Sequence, residues 1–414
     1  MLAREIEACR LCGSGTLPRL IDFGAVALGN NLQQDADAAR AAAAYPLELH
    51  RCAACGHFQL GHAVAPEILY ATNYTYLSGI GASFIKHFDA YADWAVDACS
   101  LEVGDLVVDV GSNDGTCLKA FQARGMMVCG VDPAPMAAKI ANESGVETLN
   151  AFFDRASVDE IKACHGAADF ITSHNVLAHV NDLAATFADI HELLKDGGFF
   201  AFEVGYFHEV LRTGCFDTIY HEHLDYHHAG PLMRHLTGLG FSVEELSVNS
   251  VQGGSIRLLL RKTGRGDISP AAERFLVAER ASILYDENFL RSWRQKIETS
   301  MVEFHALVRR RADTGASIAG FGAPTKATLL MKVAGIGGDE IAYVVEDNPL
   351  KTGRFLPGSA VPIMLTAELF RAPPDVLVIF AWNFASDIIG KIEGKLGKPM
   401  EVIIPLPELR TVHL

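Results

Sequence analysis

Short runs of β-branched and aromatic residues alternate with stretches of helical periodicity through most of the chain. Between residues 106 and 262 these runs read LVVDVG, MMVCGVD, DFITSH, GGFFAFEV and SIRLLLRK. A second series, SIAGFGAPTKATLL, IAYVVED and DVLVIFAWN, follows within residues 317–383. Continuous apolar runs separated by helices are typical of buried parallel strands. The pattern therefore predicts two α/β domains, each built on a doubly wound, mainly parallel sheet.

Two further segments have the periodicity of helices. A helix within residues 79–100 would carry apolar side chains on one face, at Phe84, Phe88, Tyr91 and Ala95. A long helical segment is predicted over roughly residues 274–312, where apolar positions again recur at helical spacing. The stretch between the two α/β series, KTGRGDISPAAE (262–273), is rich in Gly, Pro and charge and is the best linker candidate.

These patterns divide the chain into three regions. We expect an N-terminal module over residues 1–68 and a first α/β domain over 69–262, with its leading helices in 69–100. A second α/β domain, resembling a Rossmann unit, is expected over 263–414. A length of 414 residues is consistent with several domains, because one hydrophobic core rarely supports so long a chain.

Charge and hydropathy limit the partners. The formal net charge of −15 argues against a nucleic-acid or anionic-membrane partner, since both require a basic face. No apolar run reaches the ~20 residues of a membrane span, and MLAREIEACRLCG lacks the layout of a signal peptide. We expect a cytoplasmic protein that acts as a monomer.

Four of the nine cysteines form two C-x-x-C pairs in the first 55 residues. Each such turn can direct both sulfurs at one ion, and two turns complete a tetrahedral Zn²⁺ site. Four thiolates leave no open coordination position, so this zinc would be structural. Its expected ligands are Cys9, Cys12, Cys52 and Cys55. A nucleic-acid-binding ribbon is disfavoured, because residues 1–68 contain five Arg and no Lys against seven acidic residues.

The stretch VVDVGSNDGTCL (107–118) predicts a strand, a glycine turn and a helix. Asp132 ends the next predicted strand, where a carboxylate can accept both hydroxyls of a cofactor ribose. The turn has G-x-x-x-G spacing rather than the G-x-G-x-x-G of dinucleotide folds. An NAD-binding unit nevertheless stays open, because a βαβ fold does not by itself define its cofactor.

With the later stretches NAFFD, SHNVLAH and LLKDGGFFAFE, this succession resembles the class I S-adenosylmethionine-dependent methyltransferases. The resemblance implies glycines beneath the methionine part of S-adenosylmethionine, an acid on its ribose and an aromatic beside its adenine. The implied cofactor residues are Asp109, Gly111, Asn113, Gly115, Asp132, Pro133, Ala151, Phe152 and Asn175.

The stretch IYHEHLDYHH (219–228) concentrates four of the sixteen histidines. Metal binding by His221 and His223 stays open, although residues two apart point to different faces of a helix. A solvated polar loop would suit His227 and His228. It suits Tyr220, Glu222 and His223 less well, because these follow the acid-bearing strand end at Glu203, where open α/β sheets place their sites.

The whole chain resembles the sugar C-methyltransferases that add a methyl group to C-3′ of nucleoside-diphosphate 4-keto-6-deoxyhexoses. The resemblance rests on the cysteine pairs and on NYTYLSGIGAS, DVGSNDG, GVDPAP, YHEHL, GGSIR, GFGAPTKATLL, DNPLKTGRFLPG and FAWN. It implies a TDP-linked 4-keto sugar as substrate. Forming a C–C bond then requires removal of the C-3′ proton, a step suited to histidine.

The resemblance also implies roles for individual residues. His223 would be the base, with Glu222 or Tyr220 orienting it, while Tyr76 and His179 would hold or polarise the ketone. GFGAPTK would present main-chain N–H groups and Lys326 to a pyrophosphate, although a purely structural turn stays open. The expected substrate contacts are Glu203, Tyr206, Arg257, Gly320, Gly322, Lys326 and Asn383.

Functions of other classes remain as alternatives. One is O- or N-methylation of another small molecule on the same cofactor fold. The others are an NAD-linked oxidoreductase and a non-catalytic zinc-ribbon binding protein.

Overall fold

The structure is a computed structural model that describes residues 3–70, 79, 82–249 and 251–414. Tyr76, expected to contact the ketone, lies outside the described residues. Within the described part of the chain, no helix is both long and apolar enough to cross a membrane.

The N-terminal module is built on a four-stranded antiparallel sheet. Its strands are β2 (Arg19–Ala27), β3 (Ala44–Arg51), β4 (Phe58–Leu60) and, from much later in the chain, β11 (Asp225–Tyr226), in the order β11-β4-β3-β2. A smaller antiparallel pair joins β1 (Ala3–Glu5) to β5 (His62–Val64). The module also contains the short helices α1 (Ala36–Arg40) and α2 (Pro66–Tyr70). Leu47, Leu49, Phe58 and Leu60 are completely buried in its core.

The first α/β domain has a seven-stranded sheet in the order β12-β13-β10-β9-β6-β7-β8. The strands are β6 (Leu106–Val110), β7 (Met127–Val131), β8 (Thr148–Leu149), β9 (Ala168–His174), β10 (Leu194–Gly205), β12 (Phe241–Asn249) and β13 (Ser255–Lys262). Strand β13 is antiparallel to both of its neighbours, and β6 to β10 are parallel to one another. This is the strand arrangement expected of a class I methyltransferase.

Helices follow the strands of this domain as the sequence pattern predicts. They are α3 (Ala82–Cys99), α4 (Thr116–Gln122), α5 (Pro135–Glu143), α6 (Arg155–His165), α7 (Leu183–Leu193), α8 (Phe207–Thr213) and α9 (Ala229–Gly238). The predicted helix of residues 79–100 is α3, and it buries Phe88, Tyr91 and Ala95 against the sheet. Burying this apolar face is what stabilises the helix, since isolated helices of this length are marginal in water.

The C-terminal domain has a six-stranded sheet in the order β16-β15-β14-β17-β18-β19. Its strands are β14 (Ile318–Phe321), β15 (Tyr343–Glu346), β16 (Ile363–Leu365), β17 (Val376–Ile379), β18 (Glu401–Ile404) and β19 (Arg410–His413). Only the pairing of β18 with β19 is antiparallel. The helices α12 (Thr325–Ala334), α13 (Ala367–Arg371) and α14 (Ala385–Ile392) complete a Rossmann-like unit.

The expected linker and the long helix differ from the prediction. The helical segment is two helices, α10 (Pro270–Arg280) and α11 (Glu287–Asp313), separated by a turn of 3-10 helix at Ile283–Tyr285. Asp286 causes the restart, because its carboxylate accepts the N–H groups of Asn288 and Phe289 as an N-cap. The stretch 262–273 is not a free connector, since the Val243 N–H donates to the Asp267 carbonyl at 2.8 Å. The fold class is confirmed, and the domain boundaries stay a prediction.

Candidate active site

The two C-x-x-C turns bring four sulfurs together. All four Sγ atoms lie within 4.8 Å of one another, with 3.7 Å between Cys9 and Cys55 and 3.6 Å between Cys12 and Cys52. Sulfurs arranged tetrahedrally about 2.3 Å from one zinc ion are about 3.8 Å apart, so the geometry fits. A hydrogen bond from the Cys55 thiol lowers the pKa of Cys9 to about 4, which favours the thiolate that a metal needs. The zinc site is structural because sulfur fills every coordination position.

Two residues of the histidine-rich segment form β11, a strand in the sheet of the zinc module. Asp225 and Tyr226 pair with Gln59 and Phe58 in β4, and the Leu60 N–H donates to the Leu224 carbonyl at 2.9 Å. Strand β4 begins only three residues after Cys55, the last residue of the second cysteine pair. The zinc module therefore sets the backbone position of the segment that carries His223.

Side chains next to the zinc ligands also hold this strand. The completely buried carboxylate of Asp225 accepts hydrogen bonds from Arg10 Nε at 3.0 Å and from His57 Nε2 at 2.9 Å. Burial acts to raise the pKa of Asp225, yet Arg10 and His57 hold it below its ordinary value. A buried carboxylate that is paired in this way anchors the chain, because separating it from its partners would leave an uncompensated charge.

The expectation of a solvated loop at His227 and His228 is wrong. Their exposed fractions are 1% and 0%. His228 Nδ1 contacts the Glu279 carboxylate at 3.1 Å and His228 Nε2 contacts the Gly56 carbonyl at 3.0 Å. Pairing across the strand, which local sequence does not reveal, is what buries these rings.

His223 is held in one tautomer by a main-chain carbonyl. Its Nδ1 lies 3.0 Å from the Thr218 carbonyl, which can only accept, so Nδ1 carries the hydrogen and Nε2 keeps its lone pair. The Tyr220 hydroxyl donates to that Nε2 at 2.9 Å, and the two ring centroids are 4.1 Å apart. The Thr218 carbonyl thus contacts the ring on the side opposite to Nε2, in addition to the Tyr220 side chain that the sequence predicts, and nothing in the sequence indicates the Thr218 contact.

His179 has the same arrangement and lies beside His223. Its Nδ1 lies 2.6 Å from the Glu222 carbonyl, and the centroids of the two imidazoles are 4.7 Å apart. Burial lowers the pKa of both rings, that of His223 to about 3. Both imidazoles are therefore neutral at pH 7, with hydrogen on Nδ1.

The Glu222 side chain is 4% exposed and contacts the N-terminal module. Its Oε1 accepts a hydrogen bond from Asn30 Nδ2 at 3.0 Å. Burial raises the pKa of Glu222 to about 7. The sequence does not predict a role for Asn30, because nothing in the stretch LGNNL distinguishes Asn30 from Asn31.

The glycine turn after β6 has the geometry of a cofactor loop. Gly111 and Gly115 have φ values of 77° and 76°, which favour glycine, and Asn113 adopts φ 51°. A Cβ on Gly111 would lie 2.2 Å from Val176 Cγ2, so only glycine fits. Because His179 follows Val176 by three residues, this contact ties the cofactor loop to the paired imidazoles.

Asp132 ends β7 and faces the same loop. Its two carboxylate oxygens accept the N–H groups of Asn113 at 2.9 Å and of Ala134 at 2.8 Å, on either side of Pro133. Burial raises the pKa of Asp132. Each carboxylate oxygen has a second lone pair, so these bonds leave acceptor capacity for ribose hydroxyls.

The remaining expected cofactor residues lie at the same carboxyl edge of the sheet. Ala151 and Phe152 follow β8, and the Phe152 ring is 46% exposed, as a stacking surface for adenine requires. Asn175 follows β9 with φ 56°. Asp109 Oδ1 is buried without a hydrogen-bond partner among the described residues, and burial raises the pKa of Asp109 well above its ordinary value. The edge fits S-adenosylmethionine.

Several expected substrate contacts are engaged within the protein. Glu203 Oε1 accepts from Arg257 Nε at 2.6 Å, and the Arg257 guanidinium lies 4.5 Å from the Trp94 ring centroid. The Tyr206 hydroxyl donates to Glu279 at 2.9 Å. Glu203 and Arg257 thus neutralise each other, and the expectation that they and Tyr206 contact substrate receives no support from these contacts.

The glycine loop of the C-terminal domain faces the histidine-rich segment. Gly322 has φ 89°, and a Cβ on Gly320 would lie 2.8 Å from Val344 Cγ2. Lys326 Nζ lies 3.5 Å from the buried Asp217 carboxylate and 4.1 Å from the Trp382 ring centroid. Asn383, next to Trp382, is exposed. Lys326 already has a counter-ion in Asp217, so a phosphate bound there would share the lysine with this carboxylate.

Three stretches of the chain match known families. Residues 9–70 match a zinc binding domain, 85–246 a methyltransferase domain, and 250–407 a C-methyltransferase C-terminal domain.

Relatives extend the comparison to the whole chain. C-methyltransferase NovU of Streptomyces niveus is 34% identical over 412 residues, which cover 99% of this chain and 98% of the relative. A ubiquinone biosynthesis O-methyltransferase of Aromatoleum aromaticum is 32% identical over 111 residues, 26% of this chain and 46% of that protein.

Solved structures match part of the chain. The magnesium protoporphyrin IX methyltransferase of Synechocystis, solved with bound S-adenosylmethionine, is 16% identical and has a TM-score of 0.34. The match covers 43% of this chain and 79% of that chain.

The zinc module, the methyltransferase sheet and the C-terminal domain are thus each matched, and NovU aligns with this chain across all three. The chain belongs to the C-methyltransferase family and is an S-adenosylmethionine-dependent enzyme with a structural zinc site.

Proposed function

We propose that the enzyme methylates C-3′ of a nucleotide-linked 4-keto-deoxyhexose, with a TDP sugar as the favoured substrate. The observation that carries the proposal is the pair of neutral imidazoles at His179 and His223, 4.7 Å apart, each with Nδ1 on a main-chain carbonyl. Carbon becomes a nucleophile only after it loses a proton. A buried neutral base next to a second polar ring serves that need, whereas many O-methyltransferases can rely on positioning alone.

In the proposed mechanism His223 Nε2 accepts the C-3′ proton. The lone pair of this nitrogen is already aligned with the Tyr220 hydroxyl, so the proton can pass directly or through that hydroxyl. The His179 ring lies beside that of His223, but its hydrogen is on Nδ1 and is donated to the Glu222 carbonyl, so His179 would help to hold the substrate rather than donate to the enolate oxygen. By the family resemblance Tyr76 would assist at the ketone.

S-adenosylmethionine, when bound, supplies the electrophilic methyl group. The chain's own residues bind and orient it: Asp132 would accept the ribose hydroxyls, Phe152 would cover the adenine and the Gly111 turn would lie beneath the methionine part. The contact of Val176 with Gly111 brings this loop towards His179.

We assign the nucleotide to the C-terminal domain. Gly320 lies near the end of the parallel strand β14, Gly322 lies in the turn that follows it and Lys326 lies in the first turn of α12, and helix N-termini favour phosphate. Lys326 would exchange part of its contact with Asp217 for the pyrophosphate, and exposed Asn383 lies on the adjacent turn. The predicted divisions at 68/69 and 262/263 would then separate zinc, cofactor and nucleotide functions.

Product analysis tests the proposal. A panel of nucleotide 4-keto sugars is incubated with enzyme and S-adenosylmethionine labelled with ¹³C in the methyl group. The expected product has the label bonded to C-3′, seen as a one-bond carbon–carbon coupling. Label on oxygen or nitrogen would instead favour the alternative, an O- or N-methyltransferase.

A further inference from the structure

Asn30 connects three parts of the chain that are distant in sequence. Its Nδ2 donates to Glu222 Oε1 at 3.0 Å, a contact across 192 residues. Its Oδ1 accepts a hydrogen bond from Thr325 Oγ1 at 2.6 Å, across 295 residues. The amide therefore lies between the carboxyl next to His223 and the first residue of α12.

The backbone next to Asn30 is equally close to the C-terminal domain. A Cβ on Gly29 would lie 2.2 Å from the Thr325 carbonyl oxygen, so glycine is required for this approach. On the other side of α12, Trp382 Nε1 donates to Asp217 at 2.5 Å, in the loop that leads to Tyr220. The C-terminal domain thus contacts the chain directly at Asp217, two residues before the histidine-rich segment, and reaches Glu222 of that segment through Asn30.

We propose that Asn30 is a positioning residue that holds Glu222 in register with the start of α12. An asparagine amide suits the task because it donates to the carboxylate and accepts from the hydroxyl at the same time. Glu222 in turn affects both imidazoles: its carbonyl orients His179, and its main chain leads directly into His223. Displacement of α12 would release Thr325, then Asn30, then Glu222.

The consequence is a link between nucleotide binding and proton removal. A nucleotide sugar seated at the Gly320–Lys326 turn would fix the start of α12 and so keep Asn30 on Glu222. This inference rests on the proposed function for its substrate. The hydrogen bonds themselves can be tested without any substrate.

The test is a double-mutant cycle with Asn30→Ala and Thr325→Val. Asn30→Ala removes a hydrogen bond to a charged group, so kcat should fall about 10- to 100-fold, while KM changes less than about twofold. Thr325→Val should lower kcat about threefold, and it should have no further effect when Asn30 is already alanine. Asn30→Asp keeps the size but replaces the donor with an acceptor, so it should not restore kcat.

Asn31→Asp is the matched control, because it makes the same change at the exposed neighbouring residue. It should keep wild-type kcat and KM. Wild-type kcat in folded Asn30→Ala, or independent effects of the two substitutions on kcat, would overturn the proposal.

Melting temperatures of the same variants separate this proposal from the proposed function. If the effects of Asn30→Ala and Thr325→Val on melting temperature are not additive, the hydrogen-bonded link from Thr325 through Asn30 to Glu222 is supported, whatever the substrate. Additive effects on melting temperature overturn it. If the wild-type enzyme turned over no 4-keto sugar nucleotide, the proposed function would be refuted. The melting-temperature cycle alone would then decide whether Asn30 links Thr325 to Glu222.

Discussion

Main-chain carbonyls determine the chemistry of individual side chains in this site. The carbonyls of Thr218 and Glu222 each accept from an Nδ1, which directs the Nε2 lone pair of His223 at the Tyr220 hydroxyl. Burial lowers the pKa of His223 to about 3, so the ring stays unprotonated throughout the physiological range. The low pKa also makes His223 a weaker base, and the Tyr220 hydroxyl on Nε2 is a group through which the proton can reach the ring.

Glu222 should determine the acidic limb of the pH–rate profile. Burial raises the pKa of Glu222 to about 7, and the ionised carboxylate is the better acceptor for Asn30. We expect kcat to fall as the pH drops through about 7, and Glu222→Gln to be slower but insensitive to pH in that range. His223 adds no limb there, because its pKa of about 3 lies far below. If the acidic limb of the pH–rate profile were unchanged in Glu222→Gln, the titration of another group would cause it.

Stability provides an independent check on the Glu222 ionisation. Folding raises the pKa of Glu222 from 4.5 to about 7, so the folded state holds a proton that the unfolded chain releases first. This contribution to stability is complete below about pH 4.5 and is lost as the pH rises through about 7. The melting temperature of Glu222→Gln relative to wild type should therefore increase between about pH 5 and pH 8.

Asp132 should prove important for cofactor affinity. Both of its oxygens accept loop N–H groups, so Asp132→Ala would disturb the loop as well as the ribose contact. Asp132→Asn keeps the side-chain size and one acceptor oxygen. It should weaken S-adenosylmethionine binding severalfold, as measured by calorimetry, and it should change the melting temperature less than Asp132→Ala does. Unchanged affinity in both variants would mean that the ribose binds elsewhere.

At the scale of elements, β11 explains why a closed zinc site accompanies a methyltransferase. This two-residue strand is the edge of the zinc module's sheet, and Arg10 and His57 bind its Asp225. The apolar runs predict the parallel strands because strands buried on both faces are continuously apolar. They do not predict β11, whose length is too short for a periodic signal and whose partner lies more than 160 residues earlier.

Loss of zinc should therefore abolish catalysis without abolishing cofactor binding. The variant Cys52→Ser plus Cys55→Ser should contain less than one tenth of the wild-type zinc by elemental analysis, and it should lose turnover. S-adenosylmethionine binding should persist, because Gly111 and Asp132 follow strands of a separate sheet. Cys164→Ser, at an exposed cysteine on α6, is the control and should keep both zinc and activity. Turnover by zinc-free protein would contradict the claim that the zinc module positions the segment that carries His223.

At the scale of the whole molecule, the site lies where three folded units meet. Asn30 comes from the zinc module, His179 from the methyltransferase domain and Thr325 from the C-terminal domain. The sequence predicts the units, the zinc ligands from their spacing and, by resemblance, the role of His223. It does not predict Asn30, Thr218 or the burial of His228, because these depend on contacts between distant segments and on main-chain atoms, which leave no local pattern.

Hydrogen exchange at C-3′ tests the central claim, that His223 removes this proton, most directly. The nucleotide 4-keto sugars are incubated in D₂O with enzyme and S-adenosylhomocysteine, so that deprotonation can occur without methyl transfer. Deuterium at C-3′ is then measured by NMR. His413→Asn, at an exposed histidine on β19, is the matched control for His223→Asn.

Wild-type enzyme and His413→Asn should incorporate deuterium at C-3′ of at least one sugar in the panel. His223→Asn should incorporate it about 10²- to 10⁴-fold more slowly, the usual contribution of a positioned base, while still binding S-adenosylmethionine. Exchange at the wild-type rate in His223→Asn would contradict the account and move the base to His179 or Tyr76.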